Sequence, residues 1–429
     1  MSAAVDVDRA QPRALPTAGL LLGASLGAIG IISFLLGLAV DAPTAWRAFH
    51  VNYLYFAGIA QGGLVLAAIF VIVGATWPGP VRRIAESLAA WVPVTFLLAV
   101  VGFLGRDHIY VWIEHPIPAK QAWLNVPRLV ITDLAILGIL AALSWAFLRA
   151  SLRPALHGAG GEGFAGRMAE RWTAGWRGDE AERAASAARL RVLAPVICLV
   201  YAVGYTIIGF DQVMSLSPTW FSNLFGAYFA WGGFLSAVSV TALLTVLHRN
   251  YPGFEGEVTK SRLHDLGKMI FAFSIFWMYL FFSQYMIIWY GNLPEETSFF
   301  AARLGPEFLQ AANDWQGWDW GRWMDHFHNA PWVKITLFAW VCIWVLPFWL
   351  LLGQRPKKTW WFLASVATLS AFGFWIERNV LVWPSLTPDE TWAFLGWIQI
   401  GIALGFFGAF ALVYLVFTRI FPSLAVPHR

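Results

Sequence analysis

The stretch SRLHDLGKMIFAFSIFWMYLFFSQYMIIWYGNLPEE, residues Ser261–Glu296, decides the class of fold. Its apolar run of about twenty residues, Met269 to Trp289, is long enough at 1.5 Å per residue to cross a bilayer. Such a run predicts a membrane-spanning helix. Polar side chains lie at both ends of the run: His264, Asp265 and Lys268 before it, then Ser283, Gln284 and Tyr285 near its end.

The composition of the whole chain is typical of a membrane protein. Of its 429 residues, 59% are hydrophobic and only 13% are charged, whereas a soluble protein has about 25% charged residues. We therefore predict an all-α polytopic membrane protein. Its net charge of +4 is assigned to basic loops and not to nucleic acid binding. The polar N-terminal residues do not have the pattern of a cleavable signal peptide.

The sequence lacks the ligand patterns of redox cofactors. Cys198 and Cys342 are far apart and no CxxCH motif occurs, which argues against covalent c-type haem and a cysteine-bound iron–sulfur cluster. The nine histidines fall in loops or at the ends of predicted spans, so we do not expect a haem held by two histidines. We predict no metal site, no redox cofactor bound by this chain and no catalytic residue.

Ten membrane spans are predicted, at 18–40, 50–74, 84–105, 127–149, 192–214, 223–247, 265–290, 332–352, 359–381 and 394–418. The predicted organisation is an N-terminal tail (1–17), transmembrane helices 1–4 (18–149), a basic linker (150–191), transmembrane helices 5–10 (192–418) and a C-terminal tail (419–429). Most lysines and arginines fall in the loops on the side of the termini. The positive-inside rule therefore places both termini and the linker in the cytoplasm.

The longest loop on the opposite, outer side is residues 291–331. Four tryptophans in it have near-helical spacing, which suits contact with the membrane and contact with a partner equally well: Trp315, Trp318, Trp320 and Trp323.

A short internal repeat relates the two halves of the chain. LYFAGIAQGGLVLAA (Leu54–Ala68) aligns without gaps on LFGAYFAWGGFLSAV (Leu224–Val238), with six of fifteen residues identical. Both segments begin on the outer side, so the repeats would run parallel. This predicts two four-helix bundles, spans 2–5 and spans 6–9, with spans 1 and 10 as flanking helices.

Ionisable residues of the first half concentrate at the outer ends of spans 3 to 5. Arg106 and His108 follow span 3, Asp133 lies within span 4, and Asp211 lies near the end of span 5. A carboxylate within an apolar span is costly unless it has a partner. These four residues are candidates for a quinone site, because a quinol needs hydrogen-bond partners and a proton acceptor. A purely structural Arg–Asp network is the alternative.

A second set of residues is a candidate for a proton path. The set shares one property, ionisable or hydrogen-bonding side chains at the mouths or outer ends of spans: Asp133, Asp211, His264, Asp265, Lys268, Ser283, Gln284, Tyr285 and Glu377. Ordinary anchoring and structural pairing, for example between Glu377 and Arg378, explain the same residues.

Four stretches resemble one family. LGRDHIYVWIEHP with AWLNVPRLVITD, then FDQVMSLSPTWFSNLFGAYF, HDLGKMIFAFSIFWMYLFFSQYMIIWYGNLPEET and WIERNVLVWPSL are similar to the NrfD-like membrane subunits (ActF type) of alternative complex III. The resemblance covers roughly residues 50–420, with the motifs in the same order. It implies two four-helix bundles with two flanking helices.

The resemblance also implies a function. The family's complex is a respiratory quinol:cytochrome c (electron-acceptor) oxidoreductase of the bacterial inner membrane. The implied partners are a paralogous NrfD-like subunit, an iron–sulfur protein, c-type cytochromes, small membrane subunits, lipid and the quinone pool. Haem c and iron–sulfur clusters are expected on those partners. A structural or proton-conducting role beside the quinol-oxidising paralogue is implied for this subunit.

Two other functions are compatible with the residues. One is direct quinone binding at the outer end of helices 3–5, with quinone as a ligand of this chain. The other is secondary transport, which parallel repeats also permit. Transporters usually break helices near the middle of the membrane, and only Pro93 and Pro195 come close to such a position.

Overall fold

A computed structural model describes residues 17–157, 163–250, 256–305, 309, 319–329, 332–388, 390 and 392–421. Over these residues the chain is helical and forms no strand. The α-helices are α1 (Thr17–Val40), α2 (Ala42–Ile72), α3 (Pro80–Leu88), α4 (Val92–Gly102), α5 (Val126–Leu156), α6 (Gly163–Thr173), α7 (Asp179–Gln212), α8 (Phe225–Leu247), α9 (Lys260–Gly291), α10 (Pro294–Leu304), α11 (Trp320–Asn329), α12 (Val333–Trp340), α13 (Leu346–Leu350), α14 (Gln354–Lys358), α15 (Trp360–Leu386) and α16 (Trp397–Ile420).

Nine segments of the described chain are long and apolar enough to cross a membrane. They are α1, α2, the α3–α4 segment Pro80–His108, α5, Asp179–Leu216, α8, α9, the α12–α13 segment Val333–Leu350 and α16. The prediction of an all-α polytopic membrane protein is confirmed. The remaining predicted span, 359–381, lies in α15, which has 27 residues but carries Glu377 and Arg378 and is not among the nine.

The long helices form two groups of four. α2, α4, α5 and α7 pack together, and α8, α9, α12 and α15 form the second group. α1 and α16 pack on each other, and both contact α2. This arrangement agrees with the predicted two bundles and flanking pair. We call one end of the assembly the α10 end, where residues 103–125, 213–224 and 291–305 lie. The opposite end, with α6, is the α6 end.

The two bundles meet where α2 and α8 approach each other at glycines. A Cβ atom on Gly58 would lie 3.0 Å from the Cα of Gly233, and one on Gly62 would lie 2.8 Å from the Gly233 carbonyl oxygen. Small residues allow two membrane helices to bring their backbones this close. The contact lies inside the repeated segments of the sequence.

α1 and α16 pack through a second stripe of small residues. A Cβ on Gly30 would lie 2.2 Å from the Cα of Gly405, and a Cβ on Gly401 would lie 2.0 Å from the Ser33 hydroxyl oxygen. Neither position has room for a side chain unless the backbones move apart. The contact between α1 and α16 therefore depends on these glycines. Many large side chains of α1 remain exposed, for example Leu21 and Leu35.

Two helices begin well before the predicted spans. α2 starts at Ala42, where the Asp41 side chain accepts a hydrogen bond from the Thr44 amide at 3.2 Å and Pro43 occupies the first turn. α7 runs without interruption from Asp179, so the polar segment before the fifth predicted span belongs to the same helix. Much of the predicted linker 150–191 is helical, because it contains the end of α5, α6 and the start of α7. Of the four tryptophans in the outer loop, Trp315 and Trp318 lie outside the described residues.

Replacement of Gly30 by valine tests the α1–α16 contact. We expect Gly30→Val to lower the free energy of unfolding in detergent by roughly 1–3 kcal/mol, because the new side chain overpacks a backbone contact. Gly27→Val is the matched control on the same helix, since a Cβ at Gly27 has no neighbour within 4 Å. Thermal or SDS-induced unfolding measures both variants, and equal losses would contradict the proposed close contact.

Candidate functional site

A buried carboxylate, Asp133, lies inside the first bundle near its α10 end. α5 begins at Val126, where the Asn125 side chain caps the helix by accepting a 2.9 Å hydrogen bond from the Arg128 amide. Asp133 follows about 10 Å further along the helix, and its side chain is fully buried. Its Oδ2 accepts a 2.8 Å hydrogen bond from Gln212 Nε2 on α7. A neutral amide, and not a cation, therefore holds this carboxylate.

Asp211, the residue before Gln212, carries the ion pair of the same cluster. Arg128 Nη1 donates to Asp211 Oδ1, and the Arg128 guanidinium lies 3.6 Å from the centre of the Trp123 ring. The Asp211 side chain is 1% exposed, whereas that of Arg128 is 21% exposed. The pair thus anchors a buried carboxylate to a cation that still reaches the surface, which reduces the cost of burying both charges.

The two carboxylates interact with each other, and each keeps one oxygen without a hydrogen-bond partner. Asp133 Oδ1 and Asp211 Oδ2 are buried and accept no hydrogen bond from any described residue. A single proton held between the carboxylates would satisfy both oxygens. The arrangement can therefore accept or release a proton.

Tyr110, in the connection after α4, faces the same pair. Burial raises the pKa of its hydroxyl well above the usual value, and the nearby Asp133 carboxylate raises it further. The hydroxyl consequently stays neutral and is available as a hydrogen-bond donor near the α10 end of the cluster.

His50 is a member of this cluster that the sequence analysis did not predict. The expectation that every histidine lies in a loop or at a span end is wrong for His50, which lies inside α2 and is 4% exposed. Its Nε2 donates a 2.8 Å hydrogen bond to the Gln212 carbonyl. Because Gln212 is the last residue of α7, its carbonyl has no partner within the helix. The run AFHVNYLYF, with polar residues in an apolar segment, was the available signal.

The structure does not bring all four quinone-site candidates together. Asp133 and Asp211 belong to one buried cluster, whereas Arg106 and His108 lie towards the surface. The Arg106 side chain is 39% exposed and its Nε lies 3.7 Å from Asp107 Oδ1, and His108 is exposed. The candidate site of the first bundle is therefore Asp133, Asp211, Arg128, Gln212, His50 and Tyr110.

A cavity of about 480 Å³ lies in the second bundle, near the α10 end. Its wall is largely aromatic and is formed by α8, α9, α10, α12 and α15, with Phe225, Tyr228, Trp277, Phe281, Phe299 and Phe300 among its residues. Three proton-path candidates also line it: Gln284, Tyr285 and Glu377. A mostly apolar cavity with a few polar groups is typical of a small-molecule site.

Glu377 is the buried acid of this cavity. It is 3% exposed and interacts with the Tyr228 hydroxyl, but neither of its carboxylate oxygens accepts a hydrogen bond of normal geometry within the described chain. The nearest cation is its neighbour Arg378, whose Nη1 lies 3.4 Å from Oε2. Arg378 is itself engaged on α8, because its Nη2 donates a 3.0 Å hydrogen bond to the Phe229 carbonyl and its guanidinium lies 4.2 Å from the Phe229 ring centre. Glu377 is thus paired with Arg378 by charge, while its carboxylate oxygens can still accept a hydrogen bond.

Arg303 closes the cavity from α10. Pro384 has no N–H for the Val380 carbonyl, four residues earlier in α15. Arg303 Nε donates to that carbonyl at 3.0 Å, and Nη2 donates to the Leu381 carbonyl at 2.9 Å. Burial lowers the pKa of Arg303 to about 9, so the guanidinium remains charged at neutral pH. A charged side chain therefore satisfies the Val380 carbonyl, whose helical donor the proline lacks.

The remaining proton-path candidates on α9 lie far from the cavity. Asp265 pairs with Lys268 at 2.6 Å, and His264 Nδ1 lies 3.9 Å from Asp265. This group is about 30 Å from Gln284 along the helix. Between the two groups the buried face of α9 is Ile270, Ser274, Trp277 and Leu280, which offers no titratable side chain. Ser283 is half-buried beside Gln284.

A further ionic network at the α6 end was not predicted. Glu86 is fully buried and accepts hydrogen bonds from Arg82 at 2.9 Å, Arg83 at 2.7 Å and the Ser151 hydroxyl at 2.7 Å. Arg82 and Arg83 lie just before the predicted span 84–105, so the sequence pattern did not indicate that they pair with Glu86. The network ties α3 to α5, and each of its side chains makes hydrogen bonds to other members, which is typical of a structural site.

Sequence comparisons do not add a family. No protein-family profile matches the chain, and no characterised protein is a significant match. Among the described residues, no group of three or more His, Cys, Asp and Glu side chains is arranged to hold a metal ion. The two sites therefore rest on their own geometry: a carboxylate pair in the first bundle and an aromatic cavity with a buried acid in the second.

Removal of the Arg128 guanidinium tests the carboxylate cluster. We expect Arg128→Leu to lower the free energy of unfolding by about 3 kcal/mol, because Asp211 becomes a buried charge without a cation. The double variant Arg128→Leu/Asp211→Leu recovers part of this loss, since it removes both charges. Arg106→Leu is the control for loss of an exposed arginine and is expected to have little effect. Similar losses in Arg106→Leu and Arg128→Leu would contradict the assignment.

Arg303 and Pro384 form a second testable pair. We expect Arg303→Met to lower the free energy of unfolding by about 2 kcal/mol, because it leaves the Val380 carbonyl without a donor. The loss is smaller when Pro384→Ala is already present, because the new Ala N–H bonds to Val380. Unfolding of the four proteins in a double-mutant cycle measures the coupling, and purely additive losses would rule out this role for Arg303.

Proposed function

We propose that this chain is an integral membrane subunit of a quinol-oxidising respiratory complex of the alternative complex III kind, in which its first bundle handles protons. The buried carboxylate pair Asp133 and Asp211 carries the proposal. Quinol oxidation releases protons, and a proton acceptor held in a polar cluster near one membrane surface is the group such chemistry needs. The four motifs that resemble NrfD-like subunits lend independent support.

The architecture is compatible with that family. The resemblance implies two four-helix bundles and two flanking helices, and the helices of this chain pack in that way. Under the proposal, the α10 end faces the outside of a bacterial inner membrane and both termini are cytoplasmic. The partners are an NrfD-like paralogue, an iron–sulfur protein, c-type cytochromes and small membrane subunits, which carry the haem and clusters.

A second candidate function is direct quinone binding at the same cluster. One observation favours it, because Asp133 Oδ1 and Asp211 Oδ2 are buried acceptors that no described residue uses. A quinol hydroxyl would satisfy either oxygen. If quinone binds directly, the carboxylates are ligands of quinol. If the first bundle only handles protons, the carboxylates receive protons that quinol releases on another subunit.

Purification from native membranes tests the proposal. The tagged chain, isolated in mild detergent, is expected to bring along a multihaem cytochrome c and an iron–sulfur protein, identified by mass spectrometry and by the visible spectrum. In that complex, Asp133→Asn and Asp211→Asn are expected to lower quinol:acceptor turnover by roughly a hundredfold, the usual effect of losing a group that transfers protons.

The matched control is Asp107→Asn, which removes an exposed carboxylate, 57% accessible, from the same end of the protein. It is expected to keep normal turnover. Loss of bound quinone in Asp133→Asn would favour direct binding over proton transfer. A colourless chain that purifies alone, from cells that express the other subunits, would contradict the proposal and favour transport.

A further inference from the structure

The cavity of the second bundle lies apart from the carboxylate pair of the first. It lies between α8, α9 and α15, and none of its lining residues belongs to α2, α5 or α7. Its volume of about 480 Å³ is within the range of small-molecule sites, roughly 300 to 1,000 Å³. The cavity therefore requires an explanation of its own.

The wall of the cavity favours a flat apolar ring. Trp277 and Phe281 stack with ring centres 6.0 Å apart, and Phe299 and Phe300 lie edge to face at 5.6 Å. Aromatic faces and edges of this kind pack well against another ring. Phe282 also lines the cavity and its side chain is 49% exposed, so the cavity reaches the outer surface of α9. An apolar tail can leave by that route into lipid.

The polar groups of the cavity favour a ligand that donates a hydrogen bond. Most of the donors are already engaged: Arg303 with the carbonyls of α15, Thr336 with the Trp332 carbonyl at 2.9 Å, and Gln284 Nε2 with the Leu280 carbonyl at 3.2 Å. The Trp277 ring N–H has no partner in the described chain and can donate to a ligand oxygen. The Tyr228 hydroxyl lies close to the Glu377 carboxylate, but neither Glu377 oxygen accepts a hydrogen bond of normal geometry from the described chain. A phosphate group is itself an anion, so the Glu377 carboxylate would repel it.

We propose that this cavity binds the ring of a membrane-soluble hydroquinone, with a ring hydroxyl donating to Glu377 and the tail leaving past Phe282. The ring is held between the aromatic side chains of α8, α9 and α10. This inference adds to the proposed function a quinol site that is separate from the carboxylate pair, and it depends only on binding by this chain. Its test therefore remains valid if the chain has no respiratory partners.

Binding of decyl-ubiquinol to the full chain in lipid nanodiscs is the experiment, with affinity measured by calorimetry. Glu377→Gln is expected to weaken binding on the order of tenfold, because a charge-assisted hydrogen bond becomes a neutral one. Decyl-ubiquinone, which has no hydroxyl to donate, is expected to bind about tenfold more weakly than the quinol. Asp107→Asn, which removes an exposed carboxylate outside both sites, is expected to leave this affinity unchanged. Asp211→Asn reports whether any binding occurs at the first bundle instead.

A cavity-filling variant locates the site. Leu337→Trp places an indole in the cavity and is expected to abolish binding, whereas Phe338→Trp changes the next residue of α12, which is 47% exposed and does not line the cavity. Gel filtration and thermal unfolding establish that each variant is folded, and Glu377→Gln decides the outcome if Leu337→Trp does not fold. Unchanged affinity in Glu377→Gln overturns the proposal. So does loss of binding in Asp211→Asn alone, or a phospholipid that decyl-ubiquinol cannot displace from the cavity.

Discussion

The close approach of α2 and α8 at Gly58 and Gly233 is the contact on which the rest of the structure depends. Inside a membrane, lipid tails are as apolar as leucine, so helices associate through close packing and hydrogen bonds. α2 contacts helices of both bundles through close packing and through hydrogen bonds. The Tyr205 hydroxyl of α7 donates to the Ala57 carbonyl at 2.9 Å, and the Tyr55 hydroxyl donates to the Ala371 carbonyl of α15 at 2.8 Å. A larger residue at Gly58 would move α2 away from α8 and would disturb both of these hydrogen bonds.

The fold could be predicted from sequence to a large extent, because it depends on the length and position of apolar runs. Stretches such as Thr17–Val40 and Trp397–Ile420 are long enough to span a bilayer on their own. The start of α2 was predicted eight residues late, because Arg47 and His50 interrupt the apolar pattern. The Asp41 cap and Pro43 are the local signals that mark the true start.

The candidate sites were predicted only in part. Asp133 and Asp211 could be singled out because a carboxylate in an apolar span needs a partner. Which partner each finds depends on the rotation of α5 against α7, and Gln212 is 79 residues from Asp133 in sequence. The cavity was not predicted, because α10 is too short and polar to be recognised as part of the bundle. Its wall is formed only after α10 folds back against α12 and α15.

The burial of Arg378 has a consequence for the biogenesis of the protein. On insertion scales an arginine within a span costs about 2.5 to 3.5 kcal/mol. α15 contains a predicted span, but it is not among the nine described segments that are long and apolar enough to cross a membrane. The polar contacts of α15 are with elements made earlier: Asn52 and Tyr55 on α2, Phe229 on α8 and Arg303 on α10. Integration of α15 is thus expected to be assisted by the preceding helices, and the order of synthesis from N- to C-terminus becomes part of the assembly mechanism.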